Sequence, residues 1–533
     1  MKKNMVIMAV LAAFAAPLLI SCESTVRGDE PRDWQADGAF FSSSDEQITS
    51  TYYKPYTGYV GDPMPFYDPQ SKTFKIPYLL EYRPNPTGTY HPIWGVETTD
   101  GANYTSLNEI IPCGGLNEQD AALGTGSVVF DEETQTYYFF YTGHRHLPQA
   151  GEATEGVLYA TSTDCKTWNK CRSFLLLGAD YGYSAQNFRD PFVLKMDDGK
   201  WHMLVSTHQA GKGVLAEFIS DNLVEWSSNG VFMTMMWDRF YECPDLFKMG
   251  NWWYLVYSEQ HSAIRRVQYF KAETLDGLKA CTAGDAGLWP DSHEGFLNSR
   301  AFYAGKTASD GTNRYIWGWV PTRDGKSNTA TAPAPAEPNW GGTLVAHRVL
   351  QHEDGTLSLV EIPALANKYA EWSEIKVMEQ SEEGVTKTDE GYSLESNSYI
   401  LFSRLGYHSR IQMTVTTAAT DDKFGISLCR GTDSKKYYSM VFNAESDTKR
   451  KINFEEEGPS GTGFIPAIDS YVFDTPADNT YHITIVTDNS VVTMYVNDLL
   501  CYSNRIYQQQ RNCWSINSYT GTIQISDLQI TQY

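Results

Sequence analysis

Ser162-Thr163-Asp164-Cys165-Lys166-Thr167-Trp168 and Ser220-Asp221-Asn222-Leu223-Val224-Glu225-Trp226 are two versions of one pattern. In each, a serine stands six residues before a tryptophan, with an aspartate between them and strand-like runs on either side. Short polar side chains bond their own backbone and favour turns, whereas a tryptophan seeks a core. Strand, polar turn and tryptophan, recurring at about 60-residue spacing, point to propeller blades. Thr99-Asp100 is placed to begin a third copy. Two clear copies leave the number of blades open.

The runs around this pattern extend the reading. Residues 137–141 and 482–486 are short and alternating, as half-buried strands are. No long stretch outside the N-terminus has sustained helical periodicity. The chain holds 34 Tyr, 24 Phe and 14 Trp, with 41 Gly and 23 Pro to make turns, so an all-β protein is expected. Its 533 residues suffice for two or three domains with sizeable cores. Ala332-Pro333-Ala334-Pro335-Ala336-Glu337-Pro338 is an extended loop or linker by composition. Strand patterns nevertheless continue over 340–362, around a turn at Glu353-Asp354-Gly355. The better boundary is the short, partly helical stretch 363–369. From Trp372 the chain becomes short strands between polar turns, as over 410–416, 436–443 and 491–496, which is a β-sandwich pattern. The expected layout is a propeller over 46–363, a linker over 364–371 and a β-sandwich over 372–533.

The net charge of −23 repels a phosphate backbone, so nucleic acid is not an expected partner. A neutral carbohydrate is indifferent to it, and the charge itself serves solubility. At the N-terminus, Lys2 and Lys3 precede an apolar run over 5–20 that is too short and wrongly flanked to span a membrane. It leads into Leu19-Ile20-Ser21-Cys22, which resembles the lipobox of bacterial lipoproteins. That resemblance implies a signal peptide over 1–22, lipid on Cys22 as the mature N-terminus, and a tether over 23–45. The expected location is the bacterial outer membrane or cell surface, held by the lipid. Eight other cysteines remain. Cys165 and Cys171 are close in sequence, as are Cys501 and Cys513, but neither spacing fixes a pairing. No Cys/His cluster has zinc-site spacing, and neither metal nor cofactor is expected.

Three acidic motifs carry the chemistry: Gly61-Asp62-Pro63, Arg189-Asp190-Pro191 and Glu242-Cys243-Pro244-Asp245. Proline fixes its own φ and restricts the residue before it, so these carboxylates stand at stiff, well-aimed positions. A lone Asp-Pro is ordinarily a turn. Three aimed carboxylates together are what glycosidic bond cleavage needs: a nucleophile, an acid/base and a group that holds the substrate.

With these residues aligned, the chain resembles glycoside hydrolase family 32, the β-fructofuranosidases, invertases and fructan hydrolases, from about Tyr59 to the C-terminus. Gly124-Thr125-Gly126-Ser127 with Asp131, Tyr141-Thr142-Gly143-His144 and Tyr159-Ala160-Thr161-Ser162 follow the family order. So do Phe188-Arg189-Asp190-Pro191, Glu242-Cys243-Pro244-Asp245-Leu246-Phe247, Phe302-Tyr303-Ala304 and Gly318-Trp319. In the sandwich, Asp488, Tyr495-Val496-Asn497-Asp498 and Asn504-Arg505-Ile506-Tyr507 match as well. The resemblance implies a five-bladed propeller followed by a β-sandwich, and retaining cleavage of β-fructofuranosidic bonds in fructans or fructose-containing oligosaccharides. It makes Asp62 the nucleophile, Glu242 the acid/base and Asp190, with Arg189, the holder of sugar hydroxyls and stabiliser of the transition state. Glu81, Trp94 and Ser127 fall at substrate-binding positions.

Some positions depart from the family. Gly61 replaces an Asn, Met64-Pro65 replaces Asn-Gly, and Glu81 stands where a substrate-contacting Gln is usual. Before Phe302, Arg300-Ala301 stands where an Asp is usual. These changes bear on the identity of the sugar. Asp245 is expected to anchor the Glu242 turn, and Asp68 to make a hairpin turn before Pro69. Trp237, Trp252 and Trp253 are expected in blade cores, and His91, His144 and His261 as structural histidines. Cys243 lacks a His/Asn constellation and is not expected to be a nucleophile. The competing readings are an inverting five-bladed hydrolase of the arabinosidase/xylosidase type, which needs wider carboxyl separation, and a glycan-binding lipoprotein without catalysis.

Overall fold

The computed structural model describes residues 51–82, 89–149, 151–235, 239–259, 265–281, 294–323, 338–430, 438–456, 469–506 and 513–533. Cys22, the signal and tether segments, Trp237 and His261 lie outside the described residues, as does the Pro/Ala segment up to Glu337.

Five antiparallel blades follow one another along the chain. Blade 1 has a broken inner strand, Tyr59–Gly61 and Phe66–Asp68, followed by Thr73–Glu81, Ile93–Thr98 and Thr105–Ile111. Blade 2 is Ala122–Asp131, Thr136–His144, Glu155–Ser162 and Asn169–Lys170. Blade 3 is Phe188–Lys195, Trp201–Gln209, Lys212–Ser220 and Ser227–Thr234. Blade 4 is Glu242–Met249, Trp252–Glu259, Arg266–Ala272 and Glu294–Phe296. Blade 5 is Tyr303–Ser309, Arg314–Arg323, Pro338–Gln351 and Leu357–Val360. Val60 pairs with Gly342, and Tyr53 bridges Leu344, so strands of blades 1 and 5 hydrogen-bond where the ends of the propeller meet.

The repeated turn is real, with a shifted register. Ser162 Oγ accepts the Asp164 N–H, and Asp164 Oδ1 accepts the N–H groups of Lys166 and Thr167, each at 2.8 Å for the latter two. In blade 3, Ser220 is followed by Asn222, whose Oδ1 accepts from Val224 and Glu225. The residue equivalent to Asp164 is therefore Asn222 rather than Asp221. The third copy starts at Thr98, one residue before the expected Thr99, with Asp100 as the bonding carboxylate and Tyr104 in the tryptophan's place.

After a short helix, Pro363–Ala366, the strand Glu371–Trp372 already pairs with residues of the C-terminal strand Ile523–Gln532. An eight-stranded and a seven-stranded sheet form the sandwich. Strand His408–Thr417 alternates strictly between half-buried and buried residues, as a strand with one face in the core must. Ile411, Met413, Ile483 and Met494 from one sheet share a core with Phe424, Phe442, Phe454 and Trp514 from the other. The sandwich is bonded to the propeller. Arg505 donates to the carbonyls of Pro321 and Val320 and to Thr343 Oγ1, and Asp488 accepts the Tyr52 N–H at 2.7 Å. Cys165, Cys171, Cys501 and Cys513 are free thiols.

Candidate active site

The inner strands are irregular at one level. Register shifts fall at Gly124–Gly126, Arg189–Phe192, Glu242–Asp245 and Tyr303–Lys306, and blade 1's inner strand breaks after Gly61. A bulge releases a residue from the ladder and re-aims its side chain. Asp190, Cys243 and Ala304 occupy the bulges of blades 3, 4 and 5 with φ of 59°, 52° and 52°. Such positive φ values are costly for residues with a β-carbon and concentrate at functional sites. The three proline-linked carboxylates thus stand at the same irregular level of three blades.

Asp62 is half-buried just after Gly61. Thr125 Oγ1 donates to its Oδ2 at 2.8 Å, and Trp319 Nε1 donates to its Oδ1 at 2.9 Å. Blades 2 and 5 therefore aim a carboxylate carried by blade 1. Gly61 has a local reason: a β-carbon there would lie 2.1 Å from the ring of Trp340. Trp340 also stacks on His91, centroids 4.0 Å apart at 17°, and His91 Nε2 lies 2.9 Å from Glu81 Oε2. Glu81 thus faces His91 from the strand that pairs with Tyr59–Gly61.

Asp190 is buried, and its Oδ2 accepts the Cys243 N–H at 2.8 Å. Thr142 Oγ1 accepts the Asp190 N–H at 2.8 Å and donates to the Thr125 carbonyl. Burial and the charge of Asp62 raise the Asp190 carboxyl to about 6 against the pull of Arg189, the Cys243 amide and Lys306. Glu242 is raised further, to about 7, by burial first and then by the charges of Asp190 and Asp62. Arg189, with Nη1 3.2 Å from Oε1, and Tyr303, donating to Oε2 at 2.6 Å, restrain that rise. Arg189 is itself held by Glu155 and Asn187: Nε donates to Glu155 Oε2 at 2.9 Å, and Nη2 lies 2.7 Å from Glu155 Oε1 and 2.8 Å from Asn187 Oδ1. His144 lies 3.4 Å from Glu155 and supports this arrangement from behind.

Beneath the carboxylates, Lys306 is buried and donates to the Gly126 carbonyl at 2.8 Å. Burial lowers its pKa, while the charges of Asp245, Asp190 and Asp62 act to raise it. Burial and the same acidic surroundings keep the Cys243 thiol protonated.

Three expected roles change. Ser127 is buried and its hydroxyl joins blade 2 to blade 3, donating to the Pro191 carbonyl and accepting the Val193 N–H, which corrects the expectation of a sugar contact. Trp94 lies on the third strand of blade 1, packed against the blade core, and is not brought to the inner strands. Asp245 accepts the Thr307 N–H of blade 5 at 2.7 Å, so it links blades rather than anchoring the Glu242 turn. Asp68 accepts from the Gln70 amide and from the hydroxyls of Ser71 and Tyr137. Trp252 and Trp253 are partly buried against the cores that blade 4 shares with its neighbours, Trp252 close to Gly355 of blade 5. Sequence reasoning assigned no role to Thr125, Tyr303, Lys306, Trp319 or Trp340. Thr125, Tyr303 and Trp319 lay within the quoted family-like stretches, Lys306 lay just beyond Phe302-Tyr303-Ala304, and Trp340 opened the strand pattern over 340–362.

The family model described as Glycosyl hydrolases family 32 N-terminal domain matches residues 52–363, and that described as GH32, BT1760-like, C-terminal domain matches 355–530. The chain is 26% identical over 200 residues to a fructan 6-exohydrolase of Beta vulgaris, covering 34% of this chain and 31% of that one. It is 25% identical over 339 residues to a sucrose-6-phosphate hydrolase of Staphylococcus xylosus, covering 60% and 64%. The chain thus spans less than two thirds of the length of these curated relatives. A sucrose-6-phosphate hydrolase structure from Lactobacillus gasseri superposes with a TM-score of 0.68 at 18% identity, covering 94% of this chain and 95% of that one. The fructan 1-exohydrolase IIa of Cichorium intybus gives 0.68 at 14%, covering 91% and 97%. These likenesses carry the fold, and the propeller match alone takes in more than half of the sequence. The chain belongs to glycoside hydrolase family 32.

Proposed function

We propose that this chain is a retaining glycoside hydrolase that cleaves β-fructofuranosidic bonds in fructans or fructose-containing oligosaccharides. One observation carries the reading. Two carboxyl groups, Asp62 and Glu242, converge from different blades in contrasting surroundings. Asp62 receives two neutral hydrogen bonds, whereas Glu242 is pushed up to about 7. Contrasting environments are how one site divides the roles of nucleophile and acid between two carboxyls.

In this mechanism Asp62 attacks the anomeric carbon while Glu242 passes its proton to the departing glycosidic oxygen. Glu242, now ionised, takes a proton from water, which attacks the same carbon and frees Asp62. Asp190 stabilises the positive charge that develops on the ring, oriented by the Cys243 amide. No step calls for a metal or a cofactor. Product analysis on sucrose, inulin and levan tests the reading. Cleavage that Asp62→Asn and Glu242→Gln each reduce by at least about a thousandfold supports it. Binding without cleavage, unchanged by Glu242→Gln, would favour a glycan-binding protein instead.

The N-terminal reading is a further part of the proposal: Cys22 carries lipid and holds the enzyme at the bacterial outer membrane or cell surface. Its support is the Leu19-Ile20-Ser21-Cys22 stretch after a basic and apolar leader. Labelling with a radioactive fatty acid, lost in Cys22→Ser, tests it.

A further inference from the structure

Blade 5 carries none of the three carboxylates, yet it holds two of them in place. Tyr303 donates to Glu242 Oε2 at 2.6 Å, and Trp319 donates to Asp62 Oδ1 at 2.9 Å. The two residues are partners across the first and second strands of the blade, with ring centroids 5.7 Å apart. They form one pair, and whatever sets that pair sets the direction of both carboxyl groups. The segments that flank it, before Tyr303 and after Trp319, are both bonded to one strand of the sandwich, Leu500–Arg505, whose residues are all buried.

The first arm reaches the connection that leads from blade 4 into Tyr303, where Asn298 and Ser299 are buried. Asn298 Oδ1 accepts the Ser503 N–H at 2.7 Å. Its Nδ2 lies 3.1 Å from Ser503 Oγ, 3.3 Å from Cys501 Sγ and 3.2 Å from His347 Nε2. Ser299 Oγ donates to the Ser503 carbonyl and accepts the Ala301 N–H at 3.2 Å. The Ser299 carbonyl accepts the Phe302 N–H at 3.2 Å, which closes the turn that delivers the chain to Tyr303. The second arm reaches the residues after Trp319. Arg505 Nε donates to the Pro321 carbonyl at 2.8 Å, and Nη2 donates to the Val320 carbonyl at 2.8 Å and to Thr343 Oγ1 at 3.0 Å. Nη1 donates to Ser490 Oγ at 2.6 Å, so the guanidinium is held from the sandwich side as well. Val320 pairs with Thr343, and the neighbouring Gly342 pairs with Val60, two residues before Asp62. A planar guanidinium with its donors in a rigid fork fixes two successive carbonyls in one orientation, which a flexible ammonium does not.

We propose that the sandwich strand Leu500–Arg505 is a positioning element of the active site. Arg505 fixes Trp319, Ser503 with Asn298 and Ser299 fixes Tyr303, and the pair aims Asp62 and Glu242. Bonds that merely cement two domains have no reason to converge on the two segments flanking one pair of rings. A misplacement of about 1 Å far from the chemistry can slow catalysis about a hundredfold, so the convergence bears on rate as well as on stability. The inference rests on the glycosidase reading for what Asp62 and Glu242 do; how they are aimed is independent of it. Glu242 is faced by Asp62 from blade 1, by Arg189 and Asp190 from blade 3 and by Tyr303 from blade 5, with Cys243 next in its own strand. The sandwich acts on it through Tyr303, whose hydrogen bond favours the ionised form.

The test uses the full chain with Ser299→Ala, Arg505→Lys and Arg505→Met, each alone and combined with Tyr303→Phe or Trp319→Phe. Urea unfolding checks that each variant is folded, and where Arg505→Met is not, Arg505→Lys carries the comparison. On a fructan, Arg505→Lys is expected to lower kcat/KM about tenfold in the wild-type background and less than about twofold in the Trp319→Phe background, where the residue it positions is gone. Ser299→Ala is expected to move the alkaline limb of the kcat/KM profile to higher pH, and to leave it unmoved in the Tyr303→Phe background. Equal losses in both backgrounds, full activity in Arg505→Lys or an unmoved alkaline limb overturns the proposal. A second readout needs no turnover. NMR titration of isotopically labelled glutamate carboxyls follows the Glu242 proton directly, its signal assigned by its absence in Glu242→Gln. If no fructan is cleaved, the fructosidase reading fails, and this titration decides the positioning alone. A Glu242 titration that moves to higher pH in Ser299→Ala, with no further movement when Ser299→Ala is added to Tyr303→Phe, supports it. An unmoved titration, or the same movement in both backgrounds, overturns it.

Discussion

The six-membered ring of the Trp340 indole lies against Gly61 so closely that a β-carbon at position 61 would stand 2.1 Å from it. The residue before the nucleophile position is therefore small because an aromatic ring from blade 5 fills the place of a side chain.

Gly61→Ala should displace Trp340, and with it the rings of Trp319 and His91. Overpacking of this kind costs roughly 1–3 kcal/mol. We expect a fall in melting temperature and a drop in kcat/KM of about tenfold or more. The double variant Gly61→Ala/Trp340→Ala should recover stability relative to Gly61→Ala alone. Equal losses in single and double variants would show that the two residues are not coupled.

Activity should decline above neutral pH as Glu242, raised to about 7, loses its proton. The Tyr303 hydroxyl, bonded to Glu242 Oε2, favours the ionised form. Tyr303→Phe should therefore move the alkaline limb of the kcat/KM profile to higher pH. Movement to lower pH, or none, would contradict the bond's role.

The same raised value has a consequence for stability. The ordinary carboxyl value is 4.5, so between 4.5 and about 7 the folded chain keeps a proton that the unfolded chain has released. The group's effect is absent below 4.5 and grows into a destabilisation as pH rises to about 7. Glu242→Gln should thus leave the melting temperature nearly unchanged at pH 4 and raise it at pH 8, by up to roughly 3 kcal/mol of stability. Urea unfolding at both pH values measures this.

Lys306 brings a buried positive charge beneath three carboxylates. Its removal in Lys306→Met should raise Asp190 further and move the acid limb of the pH profile upward, because Lys306 acts to lower that group. We also expect kcat to fall by about tenfold or more. A lower kcat with an unmoved acid limb would mark Lys306 as purely a packing residue.

Much of this architecture is legible in the chain because local chemistry repeats it. The Ser162–Trp168 and Ser220–Trp226 turns announce blades, since each serine and its Asx partner close the same backbone loop. The start of the third copy at Thr98, and the use of Asn222 rather than Asp221, were not legible, because only the bonded geometry shows which hydroxyl and which Asx side chain close each turn. Arg189-Asp190-Pro191 and Glu242-Cys243-Pro244 were readable because proline marks the bulges that re-aim their carboxylates. Ser127 was misassigned because its position on an inner strand does not reveal that a neighbouring blade already occupies its hydroxyl. Trp340 and Lys306 were missed for the converse reason. They come from far along the chain, and only ring closure brings them to Asp62 and Asp190.

The central claim is that Asp62 attacks the sugar directly while Glu242 supplies and recovers a proton. Proton NMR of the first product released from a β-fructofuranoside, recorded before mutarotation, tests it most directly. Two displacements at the anomeric carbon predict that β-fructose appears first. Initial release of the α anomer would mean a single displacement by water, and would remove Asp62 from the role of nucleophile.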